Sequence, residues 1–209
     1  MAKYQIKNAR LAFPDLFEPS QFNEQSKPSY KAQFLVPAVG DDAMVRADVS
    51  TEPGTTKWGD WKPAKLGIDV AIQETAKAKW GAKAPAIIAS IEGNPMKICW
   101  IDGKKRPYDG YDGNWSLSAA RWEEKGRPLV VDANRTPLAA RDGKPYGGCY
   151  VNAVVTFWAQ DNKDGKAVRC ELVSVQFAKD GDSFGGGGTR GSEDDFEDVS
   201  EGAGADDLA

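Results

Sequence analysis

Aromatic rings set beside lysine and arginine recur along this sequence. Tyr30-Lys31 is one instance. Lys104, Lys105 and Arg106 ahead of Tyr108 and Tyr111 are another. Arg121-Trp122, followed by Lys125 and Arg127, and Lys144-Pro145-Tyr146 complete the set. A flat ring offers a face on which a nucleobase stacks for roughly 1–3 kcal/mol, largely regardless of its identity. Neighbouring cations hold the phosphates. Exposed tryptophans also stack on sugars, so the rings alone leave the ligand class open.

Strand parity sharpens the choice of rings. Successive side chains of a strand point to opposite faces. In 150–158, Val151, Ala153, Val155 and Phe157 form an apolar face. The other face carries Tyr150, Asn152, Val154, Thr156 and Trp158. In 114–122, Trp122 shares a face with Asn114, Ser116, Ser118 and Ala120. An aromatic on an otherwise polar strand face is a candidate platform, so Trp122, Trp158 and Tyr150 are expected to meet ligand. A second core or a dimer seam is the competing reading for Trp122 and Trp158. Trp80, Trp100 and Trp115 read as core. Trp58 and Trp61, in KWGDWKP, read equally as packed loop anchors or ligand contacts. Tyr108 and Tyr111 lie in DGKKRPYDGYDG, a surface loop that reads as too polar to bury them.

Other chemistry is poorly provided for. There is no histidine, which removes Ser-His-Asp and Cys-His sites, His-ligated zinc and imidazole acid–base catalysis. Cys99, Cys149 and Cys170 are odd in number and lack CxxC spacing. They read as small buried hydrophobes in a reducing compartment. Asp109 with Asp112 and Glu123 with Glu124 could hold magnesium, but loop acids at this density are common. Gly147-Gly148 lacks the GK[ST] of a phosphate loop and reads as a bulge or a tight backbone approach.

These residues must be positioned by one medium domain and a tail. The chain has 209 residues, 41% hydrophobic and 28% charged, enough to bury a sizeable core. It has no apolar run long enough for a membrane span and no signal-type N-terminus. The net charge of −4 hides a division. Residues 181–209 hold nine acids and one base, a net −8, leaving the body 1–180 at +4. Gly185 to Gly188 read as a flexible linker, and the acidic stretch beyond has too little apolar content to offset ordering entropy. The division is therefore 1–180 as the folded domain and 181–209 as linker and disordered acidic tail.

The body reads as all-β with minor helices. Strand patterns occupy 4–13, 30–36, 114–122, 129–131, 150–158 and 168–177, with a turn at 162–166. Helical spacing over 68–80 places Val70, Ile72, Ala76 and Trp80 on one stripe. A shorter helix is expected at 42–48, and 84–92 fits helix or strand. Five to six strands with one inserted helix suggest an OB-type barrel, with a β-sandwich as rival.

Several blocks carry a family resemblance. They are Asn8-Ala9-Arg10-Leu11-Ala12-Phe13-Pro14 and Pro28-Ser29-Tyr30-Lys31-Ala32-Gln33-Phe34-Leu35-Val36-Pro37. Gly147-Gly148-Cys149-Tyr150-Val151-Asn152-Ala153 is the most specific, and Val175-Gln176-Phe177 precedes the Gly-rich acidic end. Over most of 3–184 the chain resembles the tailed-phage OB-fold single-stranded DNA-binding proteins. The resemblance implies an OB barrel, sequence-tolerant binding of single strands in phage replication or recombination, no catalysis and no cofactor. It also implies a likeness in place, the cytoplasm of the infected host, and suggests a homodimer. Glu193, Asp194, Asp195, Phe196, Glu197, Asp198, Asp206 and Asp207 would then compete with DNA or dock phage or host replication proteins. The tail departs from many such proteins in ending Asp206-Asp207-Leu208-Ala209 without a terminal aromatic. A carbohydrate-binding module and a phage structural or scaffolding protein are the alternatives.

Overall fold

The structure, a computed structural model, describes residues 2–21, 23, 24 and 26–184. Its elements are β1 (Lys3–Ser20), β2 (Ser29–Pro37), β3 (Met44–Ala47), β4 (Lys62–Pro63), α1 (Ala64–Trp80), α2 (Ala84–Ile91), β5 (Trp100–Asp102), β6 (Asn114–Trp122), β7 (Leu129–Val131), β8 (Tyr150–Asn162) and β9 (Gly165–Lys179). Five strands close a barrel in the order β1-β2-β6-β9-β8 and back to β1. Neighbours are antiparallel except where β6 meets β9 at Ala120 and Glu171. This is a barrel of the OB type.

Closure depends on the length and bending of β1. Its first part pairs with β8 and its second with β2, Arg10 taking part in both ladders. Register shifts fall between Ile6 and Ala9 and between Ala12 and Asp15. Asn8 and Phe13 lie within them at φ of 59° and 46°. A bulky residue in the left-handed region costs on the order of 1–3 kcal/mol, and a bulge re-aims the side chain it carries.

Alternation fills the barrel. Val151, Ala153, Val155 and Phe157 of β8 and Cys170, Leu172, Val175 and Phe177 of β9 are buried, as are the three thiols. Helix α1 closes one end with Ala64, Gly67, Ile68, Ala71, Ile72, Ala76 and Trp80 inward. Val70, expected on this stripe, faces solvent instead. A Cβ at Gly67 would lie 2.2 Å from Cγ1 of Val45, so the helix can approach β3 only with glycine there. Two indole bonds tie α1 to the barrel strands: Trp80 Nε1 donates to Asp161 at 3.0 Å, and Trp100 Nε1 donates to Asp69 at 2.8 Å. The core reading of both is thus correct. Trp115 is half-buried against Trp100, with the Lys65 ammonium 4.5 Å over its ring.

Two local expectations change. Residues 42–48 form no helix: Met44–Ala47 is strand, paired along Tyr4 to Lys7. Its short length hides the alternation that pairing with β1 imposes. Residues 84–92 resolve into α2, with a proline in the first turn where a missing amide is harmless.

Residues 181–184 lie on the barrel as a strap. The Ser183 hydroxyl and the Phe184 amide donate to the Gly147 carbonyl. Arg10 donates to the carbonyls of Gly148 and Asp182, and its guanidinium lies 4.3 Å over the Phe184 ring. A Cβ at Gly148 would fall 2.0 Å from the Asp182 carbonyl oxygen. Of the glycine pair, Gly148 thus marks a tight backbone approach, while a Cβ at Gly147 would meet only Pro14 at 3.9 Å. Gly185 to Gly188 and the acidic residues Glu193 to Asp207 lie outside the described residues.

Candidate nucleic-acid interface

The outward positions of the barrel strands line up across the sheet. Lys31 stands opposite Ala120, Ala120 opposite Glu171, and Glu171 opposite Thr156. A groove of about 710 Å³ lies over this face. Its polar floor includes Gln33, Ser118 and Gln160, and its rings are Phe13, Trp122 and Trp158. The β2–β6 surface and the loops flanking it are where OB barrels hold extended ligands. Trp122 is 41% exposed at the end of β6, while Trp158 is half-buried. Parity therefore placed both outside the barrel core, as expected.

Phe13 is the groove ring that local reading missed. It is 52% exposed. Its left-handed backbone at the β1 bulge turns it out of the alternation that would otherwise hide it. The ring packs edge-on against Tyr108 at 5.0 Å, and Tyr108 packs against Tyr111 at 5.4 Å. Tyr108 is exposed, but Tyr111 is 1% exposed. This corrects the expectation that the loop is too polar to bury it. Ala12 and Leu35, supplied by β1 and β2, form a small second core around Tyr111. Its hydroxyl donates to Gln33 Oε1 at 2.8 Å, which also accepts from Ser116 at 3.0 Å. Burial pushes the Tyr111 phenol up to about 12. Tyr111 is thus the buried footing of Tyr108 and Phe13, not a stacking surface.

The cations sort in the same way. Lys31 and Arg169 line the groove and take part in no ion pair among the described residues. Lys125 also lines it, bonded to Glu171 at 2.8 Å. Arg121 is not free for phosphate. It pairs with Glu171 at 3.2 Å and donates to the carbonyls of Gly126 and Lys125. Tyr30 is buried, because its side of β2 faces the barrel. Lys104 and Lys105 are exposed and Arg106 half-buried in the loop, outside the groove lining. Arg127 lies 5.5 Å over Phe17.

Tyr146 and Tyr150 belong to the strap. The Tyr146 hydroxyl bonds Asp180 and the backbone of Gly181. Lys179 covers the Tyr150 ring at 4.5 Å. Neither lines the groove. Among the described residues, no three His, Cys, Asp or Glu side chains gather to hold a metal ion, and no helix is long and apolar enough to cross a membrane.

Comparison with known proteins agrees with the architecture. A family described as "Enterobacter phage Enc34, ssDNA-binding protein" matches residues 62–208. Protein p50 of Acyrthosiphon pisum secondary endosymbiont phage 1 is 45% identical over 199 residues, covering 95% of this chain and 94% of that protein. The C-terminal truncation of the single-stranded DNA-binding protein from bacteriophage Enc34 is 26% identical with a TM-score of 0.63, covering 87% of this chain and 88% of that one. The same phage protein in complex with ssDNA shares the fold at a TM-score of 0.66 and 24% identity, over 88% of this chain and 89% of that one.

Proposed function

Because the chain belongs to the Enc34 family of phage single-stranded DNA-binding proteins, a non-catalytic family, we propose that its groove binds unpaired DNA without regard to sequence. Bases stack on Trp122, Trp158 and Phe13, with Tyr108 extending the aromatic edge. Lys31 and Arg169 contact phosphates, and Lys125 assists from its bond to Glu171. The observation that carries this reading is the meeting, in one groove on the outer face of an OB barrel, of three rings and two cations, Lys31 and Arg169, that enter no ion pair among the described residues. Rings in such a groove accept any base, because every base has a π-face.

The biological setting is phage DNA replication or recombination, where single strands must be held without being cut. The net charge of −8 over 181–209 competes with DNA for the same cations and offers a docking segment to replication proteins. A homodimer fits the same role.

Titration of intrinsic tryptophan fluorescence with single-stranded and duplex DNA of equal length tests the reading. Single strands quench the emission and duplex does so far less. The log of affinity falls against the log of salt by about 0.7 per phosphate neutralised. Equal quenching by both forms, or salt-independent binding, overturns it, the latter outcome favouring a sugar ligand.

A further inference from the structure

The groove is poorly charged for a polyanion. Its lining holds Lys31, Lys125 and Arg169 against Asp15, Asp164 and Glu171, although the body as a whole is net +4. Part of the missing charge lies on the same outer face, two strands further round. The row through Glu171 and Thr156 continues to Lys3 on β1. The parallel row through Ser174 and Val154 continues to Gln5 and then Arg46 on β3. Lys7 is the next outward position on β1.

At this far edge the KWGDWKP motif comes to rest. The Arg46 guanidinium lies between two indoles, 5.2 Å from the Trp58 ring and 4.4 Å from that of Trp61. Its Nε donates to Gln5 at 2.8 Å. The Lys7 ammonium is 5.9 Å from the Trp61 ring. Lys3, Lys7 and Arg46 enter no ion pair among the described residues. Asp48, just after β3, accepts from the backbone amides of Lys57 and Ser50, each at 3.0 Å; these bonds, with the Lys3 ammonium nearby, hold its carboxyl below its usual range, so it stays anionic beside Lys3. Both indoles are half-buried, so each keeps an accessible part.

We propose that Trp58, Trp61, Arg46, Lys3 and Lys7 form a second shelf for single-stranded DNA. It takes the continuation of a strand that leaves the groove over Trp158. Strand spacing puts β3 about 10 Å from β8. The outward side chains between them are Val154, Thr156 and Gln5, which raise no charged barrier. Cations on one continuous face match a polyanion that must leave a groove whose own charges nearly cancel. This inference rests on the reading of the groove as a single-strand site, and it lengthens that site.

Two oligothymidylates separate the parts: one of about 5 nucleotides that fills the groove, and one of about 16 that reaches the shelf. The pair Lys3→Gln with Lys7→Gln replaces two exposed lysines, and Trp61→Ala removes an indole. Each variant is expected to lose about tenfold in affinity for the long strand while holding the short one as before. In the lysine pair the salt slope for the long strand is expected to become shallower by about 1.4. If the long strand binds both variants as tightly as the parent, or if short and long lose affinity together, the shelf is overturned. Should Trp61→Ala unfold the β3–β4 edge, the lysine pair still decides. Failure of the groove reading looks different: the short strand binds Trp122→Ala unchanged, whatever the shelf variants do.

Discussion

Replacing Trp122 with alanine and Tyr111 with phenylalanine should damage different properties, although both aromatics belong to the same outer face. Trp122 is 41% exposed and stands at the end of β6, opposite Ser29. Its removal leaves little cavity, and an exposed position of this kind usually changes unfolding free energy by less than about 1 kcal/mol. If a base stacks on it, binding falls by roughly 1–3 kcal/mol, about 5- to 150-fold. Tyr111 is 1% exposed and its ring supports Tyr108. Phenylalanine keeps that ring and removes one donor. Gln33 Oε1 retains the Ser116 hydroxyl, so the cost is a single neutral hydrogen bond, about 0.5–1.5 kcal/mol of stability. Binding should stay within about twofold. Urea unfolding and fluorescence titration on both variants measure the two quantities. A folded Trp122→Ala protein with parental affinity would refute the assignment. So would a Tyr111→Phe protein that loses affinity as severely as Trp122→Ala.

The buried thiols should resist alkylation in the native state at pH 9, because burial pushes Cys99 up to about 12 and Cys149 up to about 11. The unfolded thiols ionise near 8.5, so the native state holds more protons and stability falls as pH rises from there towards 11; rapid native labelling by iodoacetamide would contradict this. At the acid end, hydrogen bonds from Lys144 and Tyr146 hold the Asp180 carboxyl below its usual range. The unfolded state then binds more protons, so this contribution is present above about pH 4 and is lost as pH falls through the lowered native value. Asp180→Asn should therefore flatten the acid limb of a stability–pH curve, and an unchanged limb would count against the strap contact. Deleting 185–209 removes eight acids and one arginine and should tighten DNA binding most at low salt. Cutting after Asp180 instead also takes away Asp182 and Phe184, the partners of Arg10, and should lower the unfolding midpoint; equal midpoints for the two truncations would show that the strap adds nothing.

What was legible in the sequence was whatever depends on neighbours along the chain. Alternation in β8 separates barrel interior from exterior residue by residue, whereas in β9 the inward side switches from even to odd positions between Leu172 and Val175. The helical spacing over 68–80 finds the body of α1, though not its first turn from Ala64, and it misplaces Val70, which is exposed. Gly147-Gly148 reads as a bulge or a close approach, and at Gly148 the structure shows the latter. What was hidden depends on partners far away. Tyr111 sits in a loop of Asp, Gly and Lys, and nothing in those residues announces Ala12 and Leu35, which bury it. Strand parity already sets Tyr30 and Lys31 on opposite faces, but only the closed barrel makes the Tyr30 face the inner one. The Arg10 strap joins residues 172 apart.

Phe13 is the instructive case, because it obeys neither kind of rule. Its type predicts burial, and its place in a continuous strand predicts alternation. The bulge between Ala12 and Asp15 breaks both by turning the backbone to φ 46°. That conformation is costly for phenylalanine and needs only a different residue to be relieved. A glycine or asparagine at position 13 would accept it with less strain. The ring is therefore held outward against both its backbone preference and its own hydrophobicity. Tyr108 and the buried Tyr111 brace it from behind. If Phe13 stacks on a base as proposed, a braced ring has the advantage that it need not be lifted off the barrel before each base binds.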